Sequence, residues 1–308
     1  MISLRYKKKG TVIHKLNPFG KLAWVTSIFV LALIFNNPIY ILLLFLSTLP
    51  LIIAARVWRE WASLMKLTLY LCLAVIVINA LVSTHGSHIL WQAPFRVPII
   101  GTPIITLEAI LFGGAMSLRL LTIISAFSVI TLTIHPDDLM LSMLKVKLPY
   151  KTVLVTTLST RFIPTLIDDA ERISDVQRSR GLEIDKGRLL QKIGSRMAII
   201  IPLLSNSLDR TVQIAEAMES RAFGSGQKRT FHKEIKVSHI DIIALTCGLL
   251  ICALGIFARL SGYGGYQYYP TLEKISFSGL EWPILAALAL LSLTMLPLAH
   301  LKERIDLD

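Results

Sequence analysis

The chain has 308 residues, of which 54% are hydrophobic and 17% charged, and it carries a net charge of +12. Its mean hydropathy of +0.63 excludes an ordinary soluble domain, which would aggregate with that much apolar surface in water. The positive charge does not indicate nucleic acid: the basic residues flank apolar stretches, and the most charged segment, 135–239, dilutes them with acids and has no basic run interleaved with aromatics.

The basic N-terminus, Met1 to Gly20, leads into an apolar stretch with no small-residue cleavage site after it, so that stretch is expected to be a retained span. The first run is Leu22 to Phe35. Asn36, Asn37 and Pro38 break it, and a second run follows from Ile39 to Ala55. Both fall short of the ~20 residues of a full span and read as a tight helical hairpin turning at Asn-Asn-Pro. The third run is Leu67 to Val82, and a loop rich in proline and glycine lies between Pro94 and Pro103. The fourth, Ile104 to Ile134, holds Glu108 and Arg119 and is too long for one perpendicular span, so it is expected to tilt, to bend near Gly113-Gly114, or to lie partly in the interface. The fifth is Ile240 to Leu260 and the sixth Trp282 to Leu298. The fold class expected is an all-α, polytopic membrane helical bundle.

Of the 32 lysines and arginines, 28 fall in residues 1–21, 56–66, 135–239 and 301–308. The loops on the other side, 83–103 and 261–281, hold only Arg96 and Lys274. This asymmetry places both termini on the cytoplasmic side with six spans, and puts Tyr263, Tyr266, Tyr268 and Tyr269 outside. The expected division is 1–134 for spans one to four, 135–239 for a cytoplasmic or interfacial segment, and 240–308 for the last two spans and tail.

The 135–239 segment has too many charges for spans and too many apolar residues for a disordered loop. Asp168 to Arg180 reads as a helix, with Ile167, Ala170, Ile173 and Val176 as its apolar stripe and Asp168 and Arg172 four apart on the polar face. It ends at Ser179-Arg180-Gly181, where glycine closes the last turn. Pro202 ends a short apolar run, Met197 to Ile201. Asn206 to Arg221 then reads as an amphipathic helix with Leu208, Val212, Ala215 and Met218 inward, ending at Ser220-Arg221-Ala222 with Gly224 beyond. The same device is written twice, its arginines 41 positions apart. Ordinary C-capping explains one instance; two also fit a pair of projecting guanidinium forks that anchor a partner surface.

These residues resemble the transmembrane coupling component, or T component, of energy-coupling factor transporters, the EcfT/CbiQ-like family. The resemblance covers about residues 14 to 260. It is carried by Leu16-Asn17-Pro18 with Lys21-Leu22, Leu118-Arg119-Leu120, Pro136-Asp137-Asp138-Leu139, Leu148-Pro149, Arg161-Phe162-Ile163-Pro164, Gln177 to Gly181, Pro202-Leu203-Leu204, Asn206-Ser207-Leu208 and Ala217 to Arg221, in that order. It implies a non-catalytic scaffold of an ATP-driven importer of a vitamin or a transition-metal ion, in a prokaryotic cell membrane. Two cytosolic ATPase subunits would dock on Ser179, Arg180, Gly181, Ser220, Arg221 and Ala222, with Arg161, Pro164, Gln177, Pro202 and Met218 supporting the coupling helices. A small membrane subunit would bind the substrate, and ATP and Mg would sit on the ATPases, with no cofactor on this chain. Two departures stand out. Ala222 replaces the family's glycine, leaving Gly224 as the expected helix terminator, and the sixth apolar run is either a subgroup addition or a mark of a different complex.

No Gly-x-x-x-x-Gly-Lys-Ser/Thr, Gly-x-Ser-x-Gly or His-Glu-x-x-His string occurs, so a P-loop and the common hydrolase signatures are missing. The acidic pairs Asp137-Asp138 and Asp168-Asp169 have the chemistry to hold Mg²⁺ in a lipid enzyme but fit helix starts better. His85 and His88 lack a third metal ligand and read as loop residues. Cys72, Cys247 and Cys252 lie in apolar stretches and read as packing residues. Glu108 and Arg119, eleven apart, share a helix face about 16 Å apart, too far to bridge directly; both are intramembrane ionisable candidates, and a lipid headgroup or another span is the alternative partner for Arg119. A secondary transporter or channel is the alternative reading, although its internal repeats and polar midplane residues are missing; a membrane lipid enzyme ranks below it.

Overall fold

The computed structural model describes residues 11–83, 86–92, 104–135, 138–139, 142, 149–181, 189–225, 238–273 and 279–305. His85, the 94–103 loop, Pro136-Asp137 and Leu148, all singled out above, lie outside the described residues. The chain forms two compact units, residues 1–139 with 236–308, and residues 140–235.

The first unit is a helical bundle. Its elements are α1 (Val12–Lys15), α2 (Pro18–Ile34), α3 (Pro38–Ala54), α4 (Trp58–Val82), strands β1 (Ile89–Gln92) and β2 (Ile104–Thr106), and α5 (Leu107–Thr133). After the second unit's α6 (Tyr150–Ser179) and α7 (Leu189–Ser220) come α8 (His239–Leu260), α9 (Glu281–Leu293) and α10 (Met295–Ile305). Among the described residues, four helical stretches are long and apolar enough to cross a membrane: 58–82, 107–133, 239–260 and 281–302. The apolar helices α2 and α3 have 17 residues each, about 25 Å against a hydrocarbon core of about 30 Å. Both open on the same device. An asparagine side chain, Asn17 or Asn37, accepts the backbone N–H two residues on (Phe19, 3.2 Å; Ile39, 3.0 Å), with proline at the first helical position.

Two boundaries differ from the apolar runs. α4 begins at Trp58, nine residues before Leu67, because its first turns carry Arg59, Glu60 and Lys66 and so hide from a hydropathy reading. Ile104 to Thr106 is not helical: it pairs antiparallel with β1, and the Thr106 hydroxyl caps α5 by accepting the Ala109 N–H at 3.3 Å. From there α5 is continuous through Gly113-Gly114.

Close helix contact is built on small and hydroxyl-bearing residues, as lipid requires. The faces of α2 and α8 meet at Gly20 against Ala244, and at Gly248 against the backbone of Ala23 and Trp24. The Ser27 hydroxyl donates across this seam to the Gly248 carbonyl at 2.6 Å. Gly113 of α5 brings that helix onto Ile76 of α4, and Cys72 and Ser117 exchange side chain-to-carbonyl bonds between the same two helices. Thr48, Trp61 and Ser125 form a buried hydroxyl and indole cluster joining α3, α4 and α5. The core itself holds Trp24, Ile28, Leu31, Tyr40, Ile41, Leu44, Ile251 and Leu288.

One end of the bundle carries a buried ionic cluster with no signal in the hydropathy pattern. Asp241, in the first turn of α8, accepts Lys302 Nζ from α10 at 2.7 Å, the Asn17 N–H at 3.3 Å and the Ser238 N–H at 3.0 Å. Lys21, 4% exposed, donates to the Thr133 carbonyl at the end of α5. Ser238-x-x-Asp241, a short capping string, was the one local cue. Trp24 donates to the Ser292 carbonyl, so α9 is tied into the bundle by this bond and α10 by Lys302.

A Cβ on residue 248 would sit 3.0 Å from the Trp24 nitrogen. Gly248→Val is therefore expected to cost about 1–3 kcal/mol by overpacking a backbone contact that cannot yield. Thermal unfolding of the purified protein measures it, with Gly114→Val, which meets no neighbour, as the control.

Candidate functional site

The second unit centres on α6 and α7, each longer than its sequence reading. Helix α6 starts at Tyr150 and passes through Pro164; α7 starts at Leu189 and passes through Pro202. A proline removes one backbone hydrogen bond and crowds one carbonyl, but here the flanking turns continue the helix on both sides. The apolar run Met197 to Ile201 and the helix expected from Asn206 are thus one element.

The two helices run antiparallel. Gln177 Nε2 donates to the Ala198 carbonyl at 3.4 Å, and Arg210 pairs with Asp169 at 3.1 Å. The half-buried residues Phe162, Leu166, Ile173 and Gln177 mark the contact face of α6; Leu203, Ser207, Arg210, Ile214 and Met218 mark that of α7. The stripe expected on α6 does not survive. Ile167 and Val176 are both about half exposed, because nine residues are two and a half turns and put them on opposite sides of the helix. Asp168 and Arg172 are both exposed and do not pair with each other; the described ion pairs here are Arg178–Asp175 within α6 at 3.9 Å and Arg210–Asp169 between the helices. On α7, of the residues expected inward, Met218 lies on the contact face, whereas Leu208, Val212 and Ala215 are exposed. Met197, Ile201, Leu204, Leu208 and Val212 form one continuous apolar stripe, each 46–63% exposed, on the side away from α6.

Both helices end in the same geometry. On α6, Arg180 is the cap residue, Gly181 follows with φ +84°, and its N–H reaches the Arg178 carbonyl at 3.0 Å. On α7, Arg221 follows Ser220, and Ala222 itself takes the left-handed conformation, φ +54°. The Ala222 N–H bonds the Glu219 carbonyl at 2.8 Å and the Phe223 N–H bonds the Met218 carbonyl at 2.9 Å, the paired bonds of a Schellman ending. Gly224, also at positive φ, lies two residues further on and is not the terminator expected from the sequence. The serines turn back on their own helices: Ser179 donates to the Asp175 carbonyl and Ser220 to the Ala217 carbonyl. Arg180 and Arg221 are exposed. Gln177 lies level with Ala198; Arg180 is three residues beyond Gln177, and Arg221 is 23 residues beyond Ala198 in the opposite direction, so the two arginines stand on the order of 40 Å apart, at opposite ends of the pair. Pro164 and Arg161 are exposed; Pro202 and Met218 are half-buried.

The intramembrane pair does not come together. Glu108, fully buried in the first turn of α5, accepts Ser87 Oγ at 2.9 Å and the His88 N–H at 3.1 Å, and pairs with His88 Nδ1 at 2.7 Å. Arg119 donates to the Phe35 carbonyl at 2.8 Å and to Asn36 Oδ1 at 2.9 Å, closing the end of α2. Among the described residues there is no cluster of three or more His, Cys, Asp or Glu side chains arranged to hold a metal.

A bundle of membrane-spanning helices with an appended antiparallel helix pair defines an all-α, multi-pass membrane protein. Residues 9–232 match the family model CbiQ, described as cobalt transport protein. The chain is also similar to proteins named energy-coupling factor transporter transmembrane protein EcfT. That of Staphylococcus aureus is 30% identical over 271 residues, covering 84% of this chain and 97% of the relative. That of Streptococcus thermophilus is 30% identical over 82% and 95%, and that of Clostridium kluyveri 28% over 83% and 96%. This chain belongs to the CbiQ/EcfT family of energy-coupling factor transporter transmembrane proteins.

Left-handed backbone costs a residue with a Cβ roughly 1–2 kcal/mol relative to glycine. Ala222→Gly should therefore stabilise the end of α7 by about 1 kcal/mol. Slower hydrogen exchange at the Ala222 and Phe223 amides is the expected sign.

Proposed function

We propose that the α6–α7 pair is the coupling element of an ATP-driven importer, joining two cytosolic ATPase subunits to a small membrane subunit that binds a vitamin or a transition-metal ion. The observation that carries this reading is the duplicated helix ending: two exposed arginines in the same cap geometry, on the order of 40 Å apart at opposite ends of one antiparallel pair. A two-fold pair of ATPases offers two equivalent grooves, and such an arrangement presents one guanidinium fork to each. ATP and Mg belong to those subunits, and this chain does no chemistry. Closure of the ATPases around ATP moves the arginine ends, and the helix pair passes the displacement on. The exposed stripe Met197–Val212 of α7 is the face that meets the substrate-binding subunit. The basic segments set both termini and the helix pair on the cytoplasmic side of a prokaryotic cell membrane.

Affinity purification of tagged protein from its native host tests the arrangement. Arg180→Glu with Arg221→Glu is expected to lose the ATPases, and each single variant to keep a reduced share; undiminished recovery with the double variant overturns the docking assignment. Leu204→Asp with Leu208→Asp should do the reverse, losing the small membrane subunit while the ATPases still co-purify.

A further inference from the structure

Arg119 is the single charged side chain among the described residues lining a cavity of about 320 Å³ at the end of the bundle that holds the α2–α3 turn. The other walls are largely aromatic: Phe112 of α5, and Tyr266, Tyr268 and Tyr269 of the segment after α8. The rings brace one another, Tyr266 on Tyr268 at 4.6 Å and Phe112 on Tyr268 at 5.4 Å between centroids, so the shape is held without an occupant. Burial pushes the Tyr268 phenol up to about 12, with Tyr266 adding to it and Arg119 opposing. Burial also raises Tyr266. Both hydroxyls are therefore neutral at physiological pH and leave the guanidinium as the charge of the cavity.

That guanidinium is incompletely used. One nitrogen, Nη2, serves Phe35 and Asn36, and Nη1 reaches only the thioether of Met116 at 3.4 Å. Its Nε is buried with no hydrogen-bond partner. A buried, unmatched cationic donor beside a cavity calls for an acceptor that the protein does not supply. A second guanidinium, that of Arg259, lies against Gly265 beside the cavity's tyrosines. Glu273, whose charge acts on Tyr266, is engaged by the Gln267 N–H at 3.1 Å and is not a lining residue. Cation, aromatic walls and a membrane setting describe an anionic amphiphile better than a free ion: phosphate for the guanidinium, hydrocarbon for Phe112 and Met116.

We propose that this cavity binds the headgroup region of one anionic phospholipid, its phosphate on Arg119 and the start of an acyl chain along Phe112 and Met116. The site is separate from the coupling element and does not depend on its assignment.

The test uses delipidated full-length protein in neutral detergent, with bound lipid counted by native mass spectrometry and thermal midpoints measured in parallel. The probes are phosphatidylglycerol, phosphatidylcholine and inorganic phosphate. The expected result is one phosphatidylglycerol retained and a raised midpoint, with phosphatidylcholine and inorganic phosphate both weaker. Gln267→Glu sets a carboxylate at the exposed rim, where it leaves the fold intact, and should weaken phosphatidylglycerol at least about tenfold, the scale of one charge-assisted contact. Ala115→Phe fills the cavity and should abolish the response. Equal binding of phosphatidylcholine, an equal effect of inorganic phosphate, or full phosphatidylglycerol binding by Gln267→Glu overturns the proposal.

Discussion

The bundle depends on satisfying the backbone at the turn between α2 and α3. Two helices of 17 residues do not reach across a bilayer, so their turn lies near or below the level where water is available. Every polar group there needs a partner from the protein. The Gly264 carbonyl accepts the N–H groups of both Asn36 and Asn37, each at 3.1 Å. Arg119 takes the Phe35 carbonyl, and the Tyr268 hydroxyl takes that of Asn36 at 2.9 Å. Two distant parts of the chain, α5 and the segment after α8, converge on one turn for this reason. An arginine in the middle of α5 is thus a consequence of two short helices, and the cavity beside it follows from the aromatic lid that covers them.

The α6–α7 unit obeys a different economy. Its helices share one modest contact face and leave an apolar stripe exposed over five positions of α7. A stripe of that length on a soluble surface would be a liability. Together with two similar arginine endings, it is the surface on which the proposed coupling role rests.

Much of this was legible in the chain. Asn-Pro at 17–18 and 37–38 announces two helix starts, and Ser-Arg at 179–180 and 220–221 announces two ends, because capping chemistry is local. What escaped depends on tertiary partners. Pro164 and Pro202 look like stops, yet the turns on both sides of each continue the helix. The threefold spacing of Ile167 to Val176 mimicked a stripe while winding half-way round the helix. Ile104–Thr106 could be assigned to a strand only by knowing that Ile89–Gln92 lay beside it. The spacing of Glu108 and Arg119 already ruled out a bridge between them, but their actual partners, His88 and Asn36, lie on other elements and could not be named from the chain.

The Asp241–Lys302 bridge bears on how the protein is made. The lysine follows the aspartate by 61 residues, so the ribosome delivers the start of α8 well before α10. During that interval the carboxylate has its backbone donors and the charge of nearby Lys21, but not the ammonium that bonds it directly, so its final, nearly dry position is less well compensated. This end of the bundle is therefore complete only once α10 has been made, because the direct counter-charge of a carboxylate near the start of α8 lies at the far end of the chain.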